Sequence, residues 1–172
     1  MRRAIGIGMA LMTLWSGAAV AAAMLAEGAA FPAWTLPDQS GKTVSSKDLA
    51  GKTYLVWFYP KAQTPGCTAE GRGLRDKIED FRKRGVEIVG VSFDAPDANK
   101  AFVEAEGFPF RLLSDQDRTL AQAVGAADSK DASFAKRISY LVGPDGKVKK
   151  AYGTVTPGSH ASDVLGDIPP RS

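Results

Sequence analysis

The stretch YLVWFYPKAQTPGCTAE, residues 54–70, joins a run of apolar side chains to the only cysteine in the sequence. Residues 54–59 are six consecutive strand-forming residues, the pattern of a central strand that is buried on both faces. Pro60 ends this run, and a loop leads to Thr64-Pro65-Gly66-Cys67. Proline favours the first position of a helix, so Cys67 is predicted to lie in the first turn of a helix that follows the strand.

The rest of the sequence continues this alternation. A helix is predicted from about residue 65 to residue 84, since apolar residues recur at helical spacing and Gly85 follows as a stop signal. Further strands are predicted at 86–93, 111–114, 138–142 and 147–152, and further helices at 97–106, 117–124 and 157–165. Strands that alternate with helices and end in a hairpin predict an α/β fold with a central mixed β-sheet flanked by helices.

The N-terminal residues have the composition of an export signal. Arg2 and Arg3 precede an uncharged run rich in alanine, glycine and leucine that extends to residue 26. We expect residues 1–23 to be a signal peptide, cleaved near residues 21–23, and residues 28–168 to form the folded domain. The chain would then be exported, to the bacterial periplasm. The alternative is an uncleaved membrane anchor, since the apolar run is long enough to span a bilayer.

Charge and histidine content exclude several functional classes. The formal net charge of the whole sequence is +3. Removal of residues 1–23 takes away two arginines and no acidic residue, which leaves about +1 and argues against a nucleic-acid partner. His160 is the only histidine, so a multi-histidine metal site is not expected, nor is any cofactor. Its polar sequence neighbours predict that His160 is a surface residue.

The environment predicted for Cys67 favours a reactive thiol. A thiol is a poor nucleophile until it is deprotonated. The unpaired N–H groups and the positive dipole at a helix N-terminus favour the thiolate. The alternative is a buried, inert cysteine, which is the usual state of a free cysteine. Such a residue would belong to an apolar stripe, whereas Cys67 is next to Thr68 and three residues before Glu70.

The residues around Cys67 resemble a known family. The string PKAQTPGC, residues 60–67, fits the P-x-x-x-T-x-x-C signature of peroxiredoxins, and FYPKAQTPGCTAE is similar to the bacterioferritin-comigratory (PrxQ) branch. The resemblance continues through GVSFD (90–94), FPFRLLSD (108–115) and RISYLV (137–142), and covers about residues 31–168. It implies a thioredoxin-like fold and the reduction of peroxides by a thiol-dependent peroxidase.

The resemblance also assigns roles to individual residues. Cys67 would be the peroxidatic nucleophile, which a peroxide oxidises to a sulfenic acid. Thr64 would bind the peroxide through its hydroxyl group, and Pro60 would shield the sulfur from water. Arg137 would stabilise the thiolate and polarise the O–O bond.

Two supporting residues, Gly66 and Glu70, belong to the same motif. Several of these site residues could also have simpler structural roles. Thr64 could be a helix N-cap, Pro60 a strand terminator and Arg137 a solvated charge. Glu70 could complement the dipole of the helix in its first turn.

One position departs from the branch. Many members carry a resolving cysteine five residues after the peroxidatic one, where this chain has Arg72. The resemblance therefore implies a one-cysteine cycle in which an external thiol, either a thioredoxin-like protein or a low-molecular-weight thiol, reduces the sulfenic acid. We expect a monomer or a weak dimer. The alternative function is a non-catalytic thiol redox sensor or holdase of the same fold.

Two glycines follow the predicted active turn. Gly71 and Gly73 weaken a helix by about 1 kcal/mol each relative to alanine. They could permit local unwinding around oxidised Cys67, or they could allow the helix to pack closely against the sheet.

Overall fold

A computed structural model describes residues 23–170 of the chain. The predicted signal peptide lies outside these residues, apart from Ala23. Within residues 23–170, no helix is both long enough and apolar enough to cross a membrane.

Seven strands and five helices make up this part of the chain. The strands are β1 Thr35–Pro37, β2 Thr43–Ser45, β3 Thr53–Phe58, β4 Val86–Ser92, β5 Arg111–Ser114, β6 Ile138–Val142 and β7 Val148–Tyr152. The helices are α1 Pro65–Asp76, α2 Ile78–Lys83, α3 Pro96–Glu106, α4 Thr119–Ala123 and α5 His160–Gly166, with a 3₁₀ turn at Ser46–Leu49.

Five of the strands form one mixed sheet in the order β5-β4-β3-β6-β7, and β1 and β2 form a separate antiparallel hairpin. Strand β3 is central: it pairs in parallel with β4 and antiparallel with β6. The predicted α/β fold with a central mixed sheet is confirmed, and so are the positions of its strands to within one residue at each end.

The alternation of side chains along β3 divides the core into two layers. Val56 and Phe58 face an apolar cluster that includes the β1–β2 hairpin and α4. Leu55 and Trp57 face the opposite cluster, to which α1, α2, α3 and α5 contribute. Because both faces of β3 are covered, the strand is apolar at every position that follows Thr53.

The prediction of one uninterrupted helix over residues 65–84 is wrong. The helix breaks at Lys77, whose backbone (φ −105°, ψ 11°) leaves the helical region, and α2 then begins at Ile78. Phe81 on α2 is fully buried against the sheet. Apolar periodicity predicts which residues face the core, and it continues across a break of one residue.

Candidate active site

Strand β3 and helix α1 place Cys67 at the carboxyl end of the sheet. Pro65 is the first residue of α1, and Thr64 is the residue that precedes it. Gly66 and Cys67 therefore occupy the first turn, where backbone N–H groups have no acceptor within the helix. These N–H groups and the helix dipole favour negative charge at this point.

The Cys67 side chain is completely buried. It belongs to the apolar cluster that contains Trp57 and Tyr59 of the central strand and its extension. The prediction of a polar setting for Cys67 is therefore wrong as far as its packing is concerned. Its neighbours in the sequence are polar, but the first turn of α1 directs this side chain inward, onto the sheet.

Arg137 supplies the charge at the sulfur. Its Nη2 atom lies 3.4 Å from Cys67 Sγ and donates a hydrogen bond to it. The sheet explains this approach, because Ile138 of β6 pairs with Phe58 at the end of β3. The residue before Ile138 must then lie beside the loop that follows β3. The Arg137 side chain is 22 % exposed, so this guanidinium connects the buried sulfur with the protein surface.

Glu70 anchors the other side of this guanidinium. Arg137 Nη1 donates a hydrogen bond to Glu70 Oε2, and the Glu70 side chain is fully buried. Burial raises the pKa of Glu70 above its ordinary value, and the contact with Arg137 opposes this shift. Glu70 lies in the second turn of α1, so the first-turn dipole role is wrong; the carboxylate faces the core and supports Arg137.

Gly66 makes room for the guanidinium. A Cβ atom at this position would lie 3.1 Å from Arg137 Nη2, closer than ordinary van der Waals contact. The backbone of Gly66 is helical, so its requirement is space for Arg137 and not an unusual conformation.

Thr64 and Pro60 frame the loop before α1. The Thr64 hydroxyl donates to the Lys61 carbonyl oxygen at 2.9 Å, and it makes no capping hydrogen bond to α1. The N-cap role considered for its side chain is therefore wrong. Pro60 is half-buried at the end of the central strand. Asp94, which the sequence did not single out, accepts a hydrogen bond from the Ala62 N–H at 2.8 Å and so ties this loop to the end of β4.

The prediction that His160 is a surface residue is wrong. His160 is 1 % exposed, and its Nε2 atom lies 3.0 Å from Ser139 Oγ and 3.8 Å from Glu70 Oε1. Burial lowers its pKa to about 4; the nearby charge of Arg137 acts in the same direction, and Asp163 opposes it. One signal in the sequence was available, since His160 stands four residues before the buried Val164 on the same helical face.

Arg72 and the two glycines beside it, Gly71 and Gly73, can be assigned from their surroundings in the structure. Arg72 is exposed and makes a bidentate ion pair with Glu106 at the end of α3. A Cβ atom on Gly71 would lie 2.4 Å from Phe108, so this glycine is required for close packing. Gly73 is different, because a Cβ atom there would make only an ordinary contact.

Comparison with known sequences gives one family. The AhpC/TSA family pattern matches residues 28–151. The peroxiredoxin Bcp of Escherichia coli K12 is 39 % identical over 141 residues, which cover 78 % of this chain and 89 % of that protein. The chloroplastic peroxiredoxin Q of Populus jackii is 37 % identical over 140 residues, or 81 % of this chain and 66 % of that protein.

Solved structures give the same family. The peroxidoxin BcpB of Mycobacterium tuberculosis superposes with a TM-score of 0.77 at 29 % identity, over 83 % of this chain and 95 % of that one. A cysteine-to-serine mutant of Xylella fastidiosa PrxQ gives 0.76 at 25 % identity, over 84 % and 95 %. Peroxiredoxins are thiol-dependent peroxidases, with a peroxide as substrate and a thiol as reductant. This chain therefore belongs to the peroxiredoxin family, in its Bcp/PrxQ branch, as a member with a single cysteine.

Proposed function

We propose that this peroxiredoxin reduces hydrogen peroxide and organic hydroperoxides with Cys67 as its only redox-active residue, and that an external thiol completes the cycle. The observation that carries the proposal is the 3.4 Å contact between Arg137 Nη2 and Cys67 Sγ at a helix N-terminus. A related bacterioferritin comigratory protein from Xanthomonas campestris, 29 % identical, is described by its alkyl peroxide reduction activity, which supports the organic substrates.

In the first step, the Cys67 thiolate attacks the terminal oxygen of the peroxide. An S–O bond forms as the O–O bond breaks, so the sulfur loses two electrons and becomes a sulfenic acid. The second oxygen leaves with those electrons, takes up a proton and departs as water or an alcohol. Negative charge moves from sulfur to oxygen along this path. Arg137, which donates to the sulfur, and the N–H groups of the first turn of α1 would stabilise this charge.

The other predicted residues act on the geometry of this step. The Thr64 hydroxyl gives its proton to the Lys61 carbonyl, so its oxygen is oriented to accept the hydroxyl proton of the peroxide. Pro60 would shield the sulfur from water, and as a proline it has no N–H donor that would compete for it. Gly66 and Glu70 let the guanidinium approach and hold it there.

The second half of the cycle needs two external thiols. The first attacks the sulfenic acid, which releases water and leaves a mixed disulfide with Cys67. The second attacks this disulfide, which frees Cys67 and forms the disulfide of the reductant. The complete burial of Cys67 argues against a disulfide between two copies of the chain. The reductant would be a low-molecular-weight thiol or an exported thioredoxin-like protein, and the enzyme would work as a monomer or weak dimer in the periplasm or as a membrane-anchored form.

Peroxide consumption tests the proposal directly. Wild type and Cys67→Ser are supplied with hydrogen peroxide or an organic hydroperoxide and with several thiols in turn. We expect many turnovers for wild type with at least one thiol, and none for Cys67→Ser. Mass spectrometry should show one added oxygen atom after peroxide alone, and a mixed disulfide after one equivalent of thiol. Residual turnover in Cys67→Ser would overturn the mechanism.

The alternative function is a non-catalytic redox sensor or holdase. The complete burial of the sulfur favours it, because a buried sulfenic acid is shielded from an external thiol. A sensor would consume one equivalent of peroxide and stop with every thiol supplied. Turnover in the same assay separates the two functions.

A further inference from the structure

We infer that His160 is a positioning residue, which holds Glu70 and through it Arg137 in place for the attack of Cys67 on the peroxide. This inference rests on the proposed function, since it assigns a further residue to the same site. It is carried by contacts between α5, α1 and β6 that bring His160, Glu70 and Ser139 together.

The first observation is that the two carboxylate oxygens of Glu70 have unequal surroundings. Glu70 Oε2 accepts a hydrogen bond from Arg137, whereas Oε1 is buried and has no hydrogen-bond partner among the described residues. A buried carboxylate oxygen without a donor is costly, because its interactions with water are lost and not replaced. Whatever polar group faces Oε1 therefore affects where the whole carboxylate rests.

The second observation is the group that faces this oxygen. His160 Nε2 lies 3.8 Å from Glu70 Oε1, beyond hydrogen-bond distance but close enough for an N–H dipole to stabilise the negative charge. The indole Nε1 of Trp57 is also buried without a hydrogen-bond partner, and Trp57 works with Arg137 against the rise that burial causes in the pKa of Glu70. The carboxylate thus has the cation at Oε2, and His160 and the indole of Trp57 as its neutral polar neighbours.

The third observation is the charge state of the imidazole. The groups that face it are Arg137 and Glu70, Asp163 on its own helix, the Ser139 hydroxyl and the edge-on ring of Tyr152, 5.5 Å away between centroids. Because burial lowers the pKa of His160 to about 4, the ring is neutral near pH 7.

A neutral ring suits a positioning role. A histidine cation would compete with Arg137 for Glu70, whereas a neutral ring offers a dipole and leaves the ion pair intact. The negative charge of Glu70 favours the tautomer with its proton on Nε2, and in this tautomer Nε2–H donates a hydrogen bond to Ser139 Oγ.

The competing explanation is that His160 only fills the core and bonds Ser139. Two variants separate these roles. His160→Met keeps an apolar side chain of similar length without a donor, and His160→Gln places an amide N–H near the position of Nε2. Ser139→Ala is the matched control, since it removes the hydroxyl that shares Nε2 with Glu70 and keeps the Nε2–H group itself.

The decisive measurement is the titration of the Glu70 carboxyl carbon by ¹³C NMR, which Glu70→Gln assigns among six glutamates. We expect His160→Met to move this titration to higher pH by up to about one unit, because a contact of 3.8 Å is weaker than a hydrogen bond to a charged group, which contributes about tenfold or more. We expect His160→Gln and Ser139→Ala to leave it near the wild-type value. An unchanged titration in His160→Met, or an equal shift in Ser139→Ala, would overturn the inference.

A second measurement connects the position of Glu70 to the reaction. His160→Met should lower kcat/KM for peroxide most on the acid side of the pH profile, where Glu70 takes up its proton and releases Arg137. In a Glu70→Gln background the same substitution should have no further effect, because there is no carboxylate left to position. An undiminished effect in that background would contradict a role through Glu70.

The inference stays testable if a variant fails to fold or if the wild type is inactive. If His160→Met does not fold, His160→Gln and His160→Asn carry the same comparison, since the asparagine amide ends near the position of Nδ1 and not of Nε2. If the wild type shows no peroxidase activity, the proposed function fails. The NMR titration is independent of turnover and still decides whether His160 acts on Glu70.

Discussion

The Nη2 atom of Arg137 lies 3.4 Å from the Sγ atom of Cys67, although 70 positions separate the two residues in the sequence. Phe58, the last residue of β3, pairs with Ile138, the first residue of β6. This pairing brings Arg137, just before β6, close to Cys67, which follows β3. The contact places the permanent positive charge of the guanidinium next to the only thiol of the chain.

Arg137→Ala should lower the second-order rate constant for peroxide by about 100-fold, the usual effect of removing one donor that stabilises charge in the transition state. The rate of sulfenic acid formation can be measured by stopped-flow fluorescence in the absence of a thiol reductant. A rate within twofold of wild type would show that Arg137 does not act on the sulfur.

The variant needs a control, because removal of Arg137 leaves the carboxylate of Glu70 buried without its cation. Loss of one partner of such a pair costs several kcal/mol of stability. The double variant Arg137→Ala with Glu70→Gln removes both charges and should recover stability in urea unfolding. If it regains stability and stays slow with peroxide, the loss of rate comes from the missing charge and not from partial unfolding.

Thr64→Val should slow peroxide attack by roughly threefold to tenfold, the contribution of one hydrogen bond between neutral groups. The valine side chain has nearly the same shape but has no hydroxyl to orient the peroxide. Stability should change little, since the Thr64 hydroxyl does not cap α1. Thr64→Ser keeps the hydroxyl and is expected to keep most of the rate. Equal rates in the valine and serine variants would exclude the hydroxyl from the reaction.

Gly66→Ala should leave the helix intact and slow the reaction with peroxide. The added methyl group would lie 3.1 Å from Arg137 Nη2, so the guanidinium has to move away from Cys67. We expect a loss on the order of tenfold, because a small displacement of a catalytic group is costly to rate. Reaction rate and thermal melting should both be measured.

Gly73→Ala is the matched control on the same helix. Its methyl group would lie 3.7 Å from the Cβ atom of Ala161, an ordinary contact. Alanine is favoured over glycine in a helix by about 1 kcal/mol, so this variant should be more stable and react with peroxide at the wild-type rate. A similar loss of rate in both variants would mean that helix flexibility, and not the position of Arg137, limits the reaction.

His160 should make the fold sensitive to mild acid. Its pKa is lowered by burial from 6.5 to about 4, so between these values the unfolded chain binds the proton more strongly than the folded chain does. The contribution of His160 to stability is complete above pH 6.5 and is lost as the pH falls through 4. It amounts to up to about 3 kcal/mol. Urea unfolding from pH 7.5 to pH 4, compared between wild type and His160→Gln, measures it.

The comparison with His160→Gln is needed because Asp115 acts in the opposite direction. Burial raises its pKa from 3.8 to about 6, so its contribution to stability is present below pH 3.8 and is lost as the pH rises through 6. The difference between the two proteins cancels this term. Parallel stability profiles for wild type and His160→Gln would show that the pKa of His160 is not depressed.

Most of the fold could be predicted from local patterns. Apolar runs and turn signals located the five strands of the central sheet but not β1 and β2, and Pro65 marked the first position of α1, because these signals act over a few residues. The break at Lys77 could not be predicted, since the apolar spacing continues across it. Burial of His160 was missed because its polar sequence neighbours concealed that it shares a helical face with Val164 and Leu165.

From the amino-acid sequence alone it follows that one cysteine stands at the start of a predicted helix after a buried strand, in a loop of the peroxiredoxin type. It also follows that any disulfide of Cys67 must be made with another molecule, because this sequence has no second cysteine. The contact of Arg137 with the sulfur, the burial of Glu70 and the contact of His160 with Glu70 arise in the folded protein. These contacts join α1, α5 and the segment before β6, and strand pairing and helix packing across the sheet create them. No local pattern contains that information.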